Sequence, residues 1–428
     1  MFEAGAIMLK MKRVTNALKN EVGEFILRLN YNARQVLFSD LYRIISEPLV
    51  TIFIAAFIWR ATESLLNVAL YMMGRFIGLP LAFWLNGYVL RHIDIRTAFW
   101  CGSISAGIVT AAVIFFGGVI SPLAFLAYGL LNGFGWGFYW ANRNFLTLQE
   151  TNDHERPYYV SIVHAAILLS NIVVPFVGGW LIVTGSYFGV YAPEHAYWVL
   201  FGLSLLLMLL SARAIAHVRF QSPIPDTIVH LRKSGLNARR LLNLSRGTVE
   251  IKFIIVLLIL IYLGNEGILG TLTALVSLMA AISMYAYGRI KNGRRSRVMT
   301  LVMSGVFFMC ALALAVLPVS IGVALYVLFS PIAIRFFAML TEPFILSLSD
   351  NEAGNNPALR YMLTFDNELF INAGRIIGVV LVIALGVFAS RDDALFWGPL
   401  VIGAMQLMLL IPFLYMTRVD QASTQAAS

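Results

Sequence analysis

QSPIPDTIVHLRKSGLNARR, residues 221–240, forms the long polar break in the middle of an otherwise apolar chain. Pro223 and Pro225 favour an irregular linker here, because proline removes a backbone donor and clashes with the preceding helical turn. The residues after the prolines are typical of a short helix on a membrane surface. Six long apolar segments precede this break and six follow it. The break therefore predicts two sets of six helices joined by one linker.

The composition is that of a membrane protein. Hydrophobic residues make up 59% of the 428 residues and charged residues only 12%, whereas soluble domains carry about 25% charged residues. Mean hydropathy is +0.80, and apolar runs of spanning length, about 20 residues, recur along the chain. We therefore predict an all-α membrane protein with twelve transmembrane helices. The predicted helices lie near 42–60, 64–90, 97–117, 121–147, 157–184, 195–217, 242–264, 267–289, 298–317, 319–347, 360–389 and 394–416.

Loop charge predicts the orientation of the chain. The net charge is +9, and basic residues cluster after the second, sixth and eighth predicted helices. Basic loops stay in the cytoplasm, so both termini are expected there, and this pattern explains the basicity without a nucleic-acid partner. The expected location is a bacterial inner membrane or an intracellular membrane derived from it. The predicted divisions are a cytoplasmic amphipathic segment (1–41), a six-helix bundle (42–217), a cytoplasmic linker (218–241), a second six-helix bundle (242–416) and a cytoplasmic tail (417–428).

Motifs for enzymatic chemistry are missing from the sequence. Cys101 and Cys310 are isolated within apolar segments, which indicates neither a disulfide framework nor a zinc site. No Gly-x-x-x-x-Gly-Lys-Ser/Thr phosphate loop is present. We therefore predict a protein that is not an enzyme, uses no cofactor and drives no transport by its own nucleotide hydrolysis.

Short matches between the halves indicate an internal duplication. LTLQETN at 146–152 aligns with LSLSDNE at 346–352, each at the end of an even-numbered helix. The same offset of about 200 residues places Asn142 opposite Glu342, and an offset one residue longer places Asn171 opposite Asn372. Repeats of this kind are typical of secondary transporters. The two six-helix bundles are therefore expected to be related by a pseudo-twofold axis.

Taken together, the twelve spans, the basic central loop and the similar halves resemble the major facilitator superfamily over residues 40–416. That superfamily carries a Gly-x-x-x-Asp-Arg-x-Gly-Arg-Arg-like loop after helix 2 and a weaker copy after helix 8. Here GYVLRHIDIR at 87–96 has Arg91 in the acidic position, and GRIKNGRRSR at 288–297 has Asn292 there. The resemblance implies two bundles that rock about a central site. The charge lock between the bundles is expected to be absent or rebuilt from other residues.

One face of the fourth predicted helix combines amide, aromatic and basic residues. At 100° per residue, Asn132, Trp136, Tyr139 and Arg143 lie close together on this face. The first three are candidates for lining a substrate cavity, while Arg143 at the helix end is a candidate gate that could pair with Glu150. A stripe of small residues beside this face is suited to close helix packing. It consists of Gly129, Gly133 and Gly137.

The eleventh predicted helix carries the strongest candidates for coupling. Glu368, Asn372 and Arg375 follow i, i+4, i+7 spacing and share a face, with Arg375 near the bilayer midplane. A buried arginine needs a carboxylate, and Glu342 on the tenth helix is the first choice. Protonation of such a carboxylate would release the arginine, as proton coupling requires. A purely structural ion pair is the alternative.

Two further helices contribute candidates. On the first helix, Asp40 and Arg43 are expected to form a surface pair, while Glu47 lies deeper and is a candidate for coupling. On the fifth helix, His164 and Asn171 share a face. Histidine is a natural proton relay, although a lone histidine often only satisfies a neighbouring carbonyl. Asn171 and Asn372 are further candidates for substrate contact.

Three functions remain open at this point. The first is secondary, proton-coupled transport of a small polar or amphiphilic solute. The second is transport of iron or another divalent metal, for which Glu47, Glu342, Asp366, Glu368 and His164 offer suitable ligands; the general likeness to major-facilitator proteins of bacterial magnetosome membranes points the same way. The third is a membrane scaffold or receptor that transports nothing. In each case the partners are a solute or ion and the lipid bilayer, and the protein is expected to be a monomer or weak oligomer.

Overall fold

The computed structural model describes residues 28–116, 121–150, 155–219, 236–289, 294–354 and 356–411. The regular secondary structure of these residues is entirely helical. We number twelve helical segments α1–α12, with α1 and α7 each divided in two. Their bounds are α1a Tyr31–Thr51, α1b Phe53–Thr62, α2 Leu65–Val89, α3 Ile95–Phe116, α4 Pro122–Glu150, α5 Arg156–Tyr187, α6 Pro193–Ala216, α7a Ala238–Val249, α7b Phe253–Leu258 continued by a π-helix Ile259–Leu263, α8 Glu266–Gly288, α9 Arg294–Val316, α10 Val319–Ala353, α11 Pro357–Phe388 and α12 Arg391–Ile411.

The segments alternate between two faces of the molecule. We call the face at which α1 begins the near face and the opposite one the far face. In the described part of the chain, nine segments are long and apolar enough to cross a membrane. The protein is therefore an integral, multi-pass membrane protein, as the composition predicts. The bundle boundaries and the cytoplasmic position of the termini stay predictions, and residues 1–27, 220–235 and 412–428 lie outside the described residues.

Two helices are broken near their middle. The break in α1 falls at Ile52, whose amide still bonds the carbonyl of Pro48 one turn earlier. The break in α7 covers 250–252, where the sequence prediction for this span is weakest because polar residues interrupt its beginning. Helix α1 also begins at Tyr31, well before the predicted start near 42, because Ser39 and Asp40 are buried by packing rather than solvated.

Close packing of α2 against α4 uses the predicted stripe of small residues. A Cβ atom added to Gly133 would lie 2.1 Å from the carbonyl oxygen of Arg75, and one added to Gly74 of α2 would lie 2.1 Å from that of Leu126. Only glycine lets two backbones approach this closely. The packing role predicted for Gly129, Gly133 and Gly137 is confirmed.

Contacts between the first six and the last six helices follow a symmetric pattern. Helix α2 packs against α11, and α5 packs against α8. If the halves are repeats, α2 corresponds to α8 and α11 corresponds to α5. The contact of α2 with α11 then corresponds to the contact of α8 with α5. This exchange is consistent with the predicted duplication, while the pseudo-twofold arrangement of two bundles stays a prediction.

Candidate functional site

Charged side chains from both halves of the chain gather near the middle of the helices. They contact one another across helices: Arg246 of α7 meets Glu342 of α10, and Arg375 of α11 meets Glu250 of α7. The side chains of Glu47 and Glu342 keep 38% and 56% of their surface exposed, although charges facing lipid at this depth cost about 2.5–3.5 kcal/mol each. These groups therefore surround a space between the helices. We define the central charged cluster as Glu47, Arg75, Arg246, Glu250, Lys252, Arg335, Glu342, Glu368 and Arg375.

The carboxylate of Glu250 joins two arginines of the second half. Arg375 donates to one of its oxygens, and the Nε of Arg246 donates to the other at 3.0 Å. Arg375 also donates to Asn372 at 3.0 Å. The predicted pairing of Arg375 with Glu342 is wrong, since Glu342 instead meets Arg246 at 3.5 Å.

The break in α7 explains this choice of partner. Helix α7a lies directly against α11, because a Cβ added to Gly247 would sit 2.0 Å from the carbonyl oxygen of Ile371. Helix α7a ends at Val249, so the next residue, Glu250, lies at the break and beside Arg375. A sequence pattern on α11 alone could not show this approach.

Glu368 has the weakest partners among the carboxylates of the cluster. Asn372 donates to its backbone carbonyl at 2.8 Å and to its carboxylate at 3.4 Å. In the described part of the chain, no basic group forms an ion pair with this carboxylate. The predicted shared face of Glu368, Asn372 and Arg375 is confirmed by this chain of contacts.

The first half contributes one paired acid and one base without a carboxylate contact. Glu47 accepts a hydrogen bond from Arg43, which is 1% exposed and also lies over the ring of Trp140 at 4.5 Å. Arg75 lies over the ring of Trp136 at 5.7 Å. Glu47 thus faces the central space, as its predicted role in coupling requires, although the role itself stays a prediction.

Three bases of the cluster have no acidic counter-ion at ion-pair distance among the described residues. They are Arg75, Lys252 and Arg335. Lys252 is exposed and Arg335 is half-buried. Charges without a partner in the middle of a membrane protein are costly, so these three bases are the least compensated charges of the cluster.

A second set of charges lies nearer to the near face, around a fully buried carboxylate. Asp40 is 0% exposed, and both of its oxygens accept hydrogen bonds from Arg143, at 2.7–3.0 Å. Tyr139 donates to the same carboxylate at 3.0 Å and Tyr159 at 2.6 Å. The predicted surface pair of Asp40 with Arg43 is therefore wrong. The early start of α1 carries Asp40 into the packed interior, where Arg143 of α4 reaches it.

Family comparison explains this architecture. The family model described as Major Facilitator Superfamily matches residues 36–365. The chain belongs to this superfamily. The predicted resemblance is confirmed, and the family and fold support membrane transport rather than enzymatic catalysis as the general role of this major facilitator protein.

Individual relatives are distant. Uncharacterized protein YqgE of Bacillus subtilis (strain 168) is 24% identical over 354 residues, which cover 79% of each chain. The solved structure of the POT family transporter PepTSo has a TM-score of 0.67 and 9% identity, over 91% of this chain and 98% of that chain. A bacterial homologue of the iron transporter ferroportin, in its inward-facing state, has a TM-score of 0.61 and 15% identity, over 91% and 99%. At these identities the two structures show the fold alone.

The near-face junction between α2 and α11 differs from the charge lock of other major facilitator proteins. Asn86, next to the motif glycine, exchanges hydrogen bonds with Asn142 at 2.9 and 3.1 Å and donates to the Tyr361 hydroxyl of α11 at 3.1 Å. The Tyr361 hydroxyl in turn donates to the carbonyl of Phe83 at 3.1 Å. The lock between the halves is thus rebuilt from uncharged groups.

The acidic residue of the loop between α2 and α3 pairs with a neighbour in the chain. Asp94 accepts hydrogen bonds from the guanidinium of Arg96 at 2.7–3.2 Å. These bonds hold the pKa of Asp94 below its usual value. The loop therefore keeps an ion pair, but this pair ties the loop to itself and not to the second half.

Tyr361→Phe is expected to destabilise the protein by about 1–2 kcal/mol, because the buried amide of Asn86 loses one of its two acceptors and the Phe83 carbonyl loses a donor. The midpoint of thermal unfolding in detergent measures this loss. Tyr128→Phe is the matched control, since Tyr128 of α4 is half-buried and forms no hydrogen bond within the described residues. Equal stability of the two variants would contradict a hydrogen-bonded junction.

The far-face junction, in contrast, is charged. Arg60 of α1b donates to both carboxylate oxygens of Glu266 of α8, each at 2.5 Å, and Tyr197 of α6 donates to the same group at 3.0 Å. Nearby, Trp180 of α5 donates to Thr271 of α8 at 3.0 Å. The two halves are therefore in direct contact at the far face through α1b, α5 and α8.

The aromatic face of α4 is packed rather than open. Asn132 is 0% exposed and donates to Thr110 of α3 at 3.1 Å, while Trp136 and Tyr139 are 2% and 0% exposed. None of them lines an open space in this conformation, because α1 and α3 cover this face. Their contact with substrate stays a prediction.

The remaining candidates are placed as follows. His164 is exposed and Asn171 is half-buried, and neither forms a hydrogen bond or ion pair with the residues described. The predicted gate pair of Arg143 with Glu150 finds no support, because Arg143 is occupied by Asp40 and the Glu150 side chain lies outside the described residues. The roles of His164 and Asn171 stay predictions.

Sequence reasoning missed several members of the central charged cluster. Arg75 and Arg335 each stand alone in a long apolar stretch near the middle of a helix. The same signal singled out Arg375 and would have found both, whereas Lys252 follows Glu250 by two residues at the break in α7. Glu250 was noted only as an interruption of the seventh helix, because a polar residue near a predicted helix start reads as part of a loop.

Proposed function

We propose that this major facilitator protein is a secondary active transporter that carries a small anionic solute, coupled to protons, by alternating access. The observation that carries the proposal is the set of three central bases without an acidic counter-ion among the described residues, Arg75, Lys252 and Arg335. An anionic substrate would supply the missing counter-charge. Arginine is suited to this task because its planar guanidinium binds carboxylate or phosphate through two parallel hydrogen bonds.

Contacts between the halves support alternating access. At the far face, Arg60 and Glu266 join α1b to α8, and α7b packs beside α1b. The exposed side chain of Glu342 and the exposed Lys252 favour access to the central space from the near face. By the positive-inside rule the near face would be cytoplasmic, in a bacterial cell membrane or a membrane derived from it.

Transport by reconstituted full-length protein tests the proposal. Liposomes with a pH-sensitive dye inside are offered a panel of anionic, zwitterionic and neutral solutes, together with Fe²⁺. Of these solutes, only the anions are expected to be taken up, and their uptake is expected to change the internal pH. Accumulation of Fe²⁺ alone would favour the metal alternative, and no transport of any solute would favour the scaffold alternative.

Arg335→Gln is expected to lower the initial rate of anion uptake by about tenfold or more, since a charge-assisted hydrogen bond contributes about 1.5–3 kcal/mol. Arg289→Gln makes the same change of charge at the exposed end of α8 and is the matched control. Its uptake rate should stay near that of the unchanged protein. Equal rates for both variants would contradict the anion site.

Glu368→Gln is expected to abolish proton-driven accumulation while leaving solute exchange at equilibrium nearly intact. The carboxylate of Glu368 has no ion pair among the described residues, so it is the acid of the cluster best placed to take up and release a proton. Uptake driven by a pH gradient and exchange without a gradient are measured side by side. Glu194→Gln, at the exposed start of α6, is the control, and loss of both activities would instead indicate a structural role.

A further inference from the structure

The unpaired bases of the central charged cluster come from both halves of the molecule. Arg75 lies on α2 in the first half, whereas Lys252 and Arg335 belong to α7 and α10 in the second. Arg375 connects their positions, because it lies over the ring of Phe76, the residue after Arg75, at 5.4 Å and donates to Glu250, two residues before Lys252. The charge of Lys252 is in turn close enough to that of Arg335 for the two to repel each other. Like charges thus face each other across the junction of the halves. Only an anion between them can turn this repulsion into attraction.

The balance of charge in this region gives the number of negative charges required. The carboxylates are Glu47, Glu250, Glu342 and Glu368. The bases are the five of the central charged cluster, Arg75, Arg246, Lys252, Arg335 and Arg375, together with Arg43, which donates to Glu47. The neighbouring pair of Asp40 with Arg143 is neutral by itself and does not change the balance. Six bases against four carboxylates leave an excess of two positive charges.

We infer that the substrate is a small dianion that bridges the two halves, held by Arg75 on one side and by Lys252 and Arg335 on the other. This inference rests on the proposed function and names its substrate class. A single negative charge would leave one positive charge of the cluster and Arg43 together uncompensated in the middle of the membrane. A dianion neutralises the excess, and a phosphate monoester and a dicarboxylate share this chemistry.

Bridging also explains how binding would move the halves. Without a bound anion, Arg75 and Arg375 repel each other across α2 and α11. A dianion contacts bases of both halves at once, so its binding free energy favours the conformation in which they are closest. The substrate is then the counter-ion that permits closure over the central space.

Ligand-induced stabilisation of the purified full-length protein tests the number of charges. A ligand that binds only the folded protein stabilises it by RT ln(1 + L/Kd), where L is the ligand concentration, so the rise in the midpoint of thermal unfolding at a given concentration reports its affinity. The probes are sulfate, glycerol 3-phosphate, succinate and the monoanion methanesulfonate, at millimolar concentration and constant ionic strength. Sulfate and at least one of the two organic dianions should stabilise the protein, and methanesulfonate should not; the comparison of glycerol 3-phosphate with succinate separates the phosphate from the dicarboxylate.

The pH dependence distinguishes protonation of the ligand from protonation of the protein. The second ionisation of a phosphate monoester has a pKa of about 6, so the apparent affinity for glycerol 3-phosphate should weaken about tenfold between pH 8 and pH 5, and its stabilising effect should shrink accordingly. Sulfate stays a dianion over this range and should keep its effect. A parallel loss of the sulfate effect would place the titrating group in the protein and overturn this part of the inference.

Variants separate the site from a general salt effect, since sulfate stabilises many proteins by exclusion from their surface. Arg335→Gln and Lys252→Gln should each raise the sulfate concentration needed for a given increase of the unfolding midpoint about tenfold or more, and Arg289→Gln should leave it unchanged. An unchanged sulfate response in Arg335→Gln overturns the site. If methanesulfonate binds as tightly as sulfate and its binding depends on Arg335, the inference of a dianionic substrate is overturned, while the proposal of anion transport is still supported. If no anion acts and only neutral solutes are transported, the proposed function fails as well.

Discussion

Gly133→Ala is expected to destabilise the protein by about 2–3 kcal/mol or more and to reduce the yield of folded protein. The added Cβ would lie 2.1 Å from the carbonyl oxygen of Arg75 and 2.8 Å from its Cα. Both atoms belong to the backbone of α2, so no side-chain rotation relieves the clash and the helices must separate. The separation also displaces the Arg75 side chain from the central space, and anion uptake per folded molecule should fall.

Two glycines elsewhere provide controls at which alanine is not expected to lower the stability. Gly202 in α6 and Gly305 in α9 lie in helices, and a Cβ added at either position has no heavy atom within 4 Å. Alanine at these sites is expected to be neutral or to stabilise the protein by about 0.4–1 kcal/mol, because it lowers the conformational entropy of the unfolded chain. Thermal unfolding in detergent and the monodisperse fraction after purification compare the three variants. Similar losses at all three positions would contradict the assigned α2–α4 contact.

Asp40→Asn is expected to cost about 3–5 kcal/mol, the range for removing one partner of a buried ion pair. The substituted asparagine would keep the shape of the side chain but leave the guanidinium of Arg143 without its carboxylate. It would also place an amide donor against the hydroxyl groups of Tyr139 and Tyr159, which both donate to Asp40. The midpoint of thermal unfolding and the unfolded fraction at growth temperature measure the effect.

Two comparisons test whether burial causes this loss. Asp94→Asn breaks a partly exposed pair with Arg96 and should cost no more than about 1 kcal/mol. Arg143→Met combined with Asp40→Asn removes the unpaired charge and should restore part of the stability lost in the single variant. If the Asp40→Asn protein is as stable as the Asp94→Asn protein, the buried ion pair contributes no more to the free energy of unfolding than the partly exposed one.

Helix positions were predictable because the bilayer imposes them locally. A run of about 20 apolar residues is a helix across the membrane whatever its neighbours are, since no other element satisfies the backbone there. The glycine stripe of α4 was predictable for a similar reason, because spacing along one helix fixes which residues share a face. The start of α1 was missed, since Asp40 and Arg43 read as surface residues until Arg143 and Glu47 supply their partners.

Partners across helices were not predictable. Arg375 has the same sequence environment whether it bonds Glu342 or Glu250, and the broken α7 decides between them. The amide network of Asn86, Asn142 and Tyr361 joins residues as far as 275 positions apart in the chain. Periodicity carries no information about such distances.

The sequence by itself determined the membrane class, the twelve helical segments, the family resemblance and the presence of costly charges within the spans. Those properties follow from transfer free energies that each residue carries with it. Only the tertiary structure decided which charges are compensated, because compensation depends on contacts at about 3 Å between different helices. It pairs Arg143 with Asp40 and Arg375 with Glu250, and it leaves Arg75, Lys252 and Arg335 around the central space without an acidic partner in the described residues.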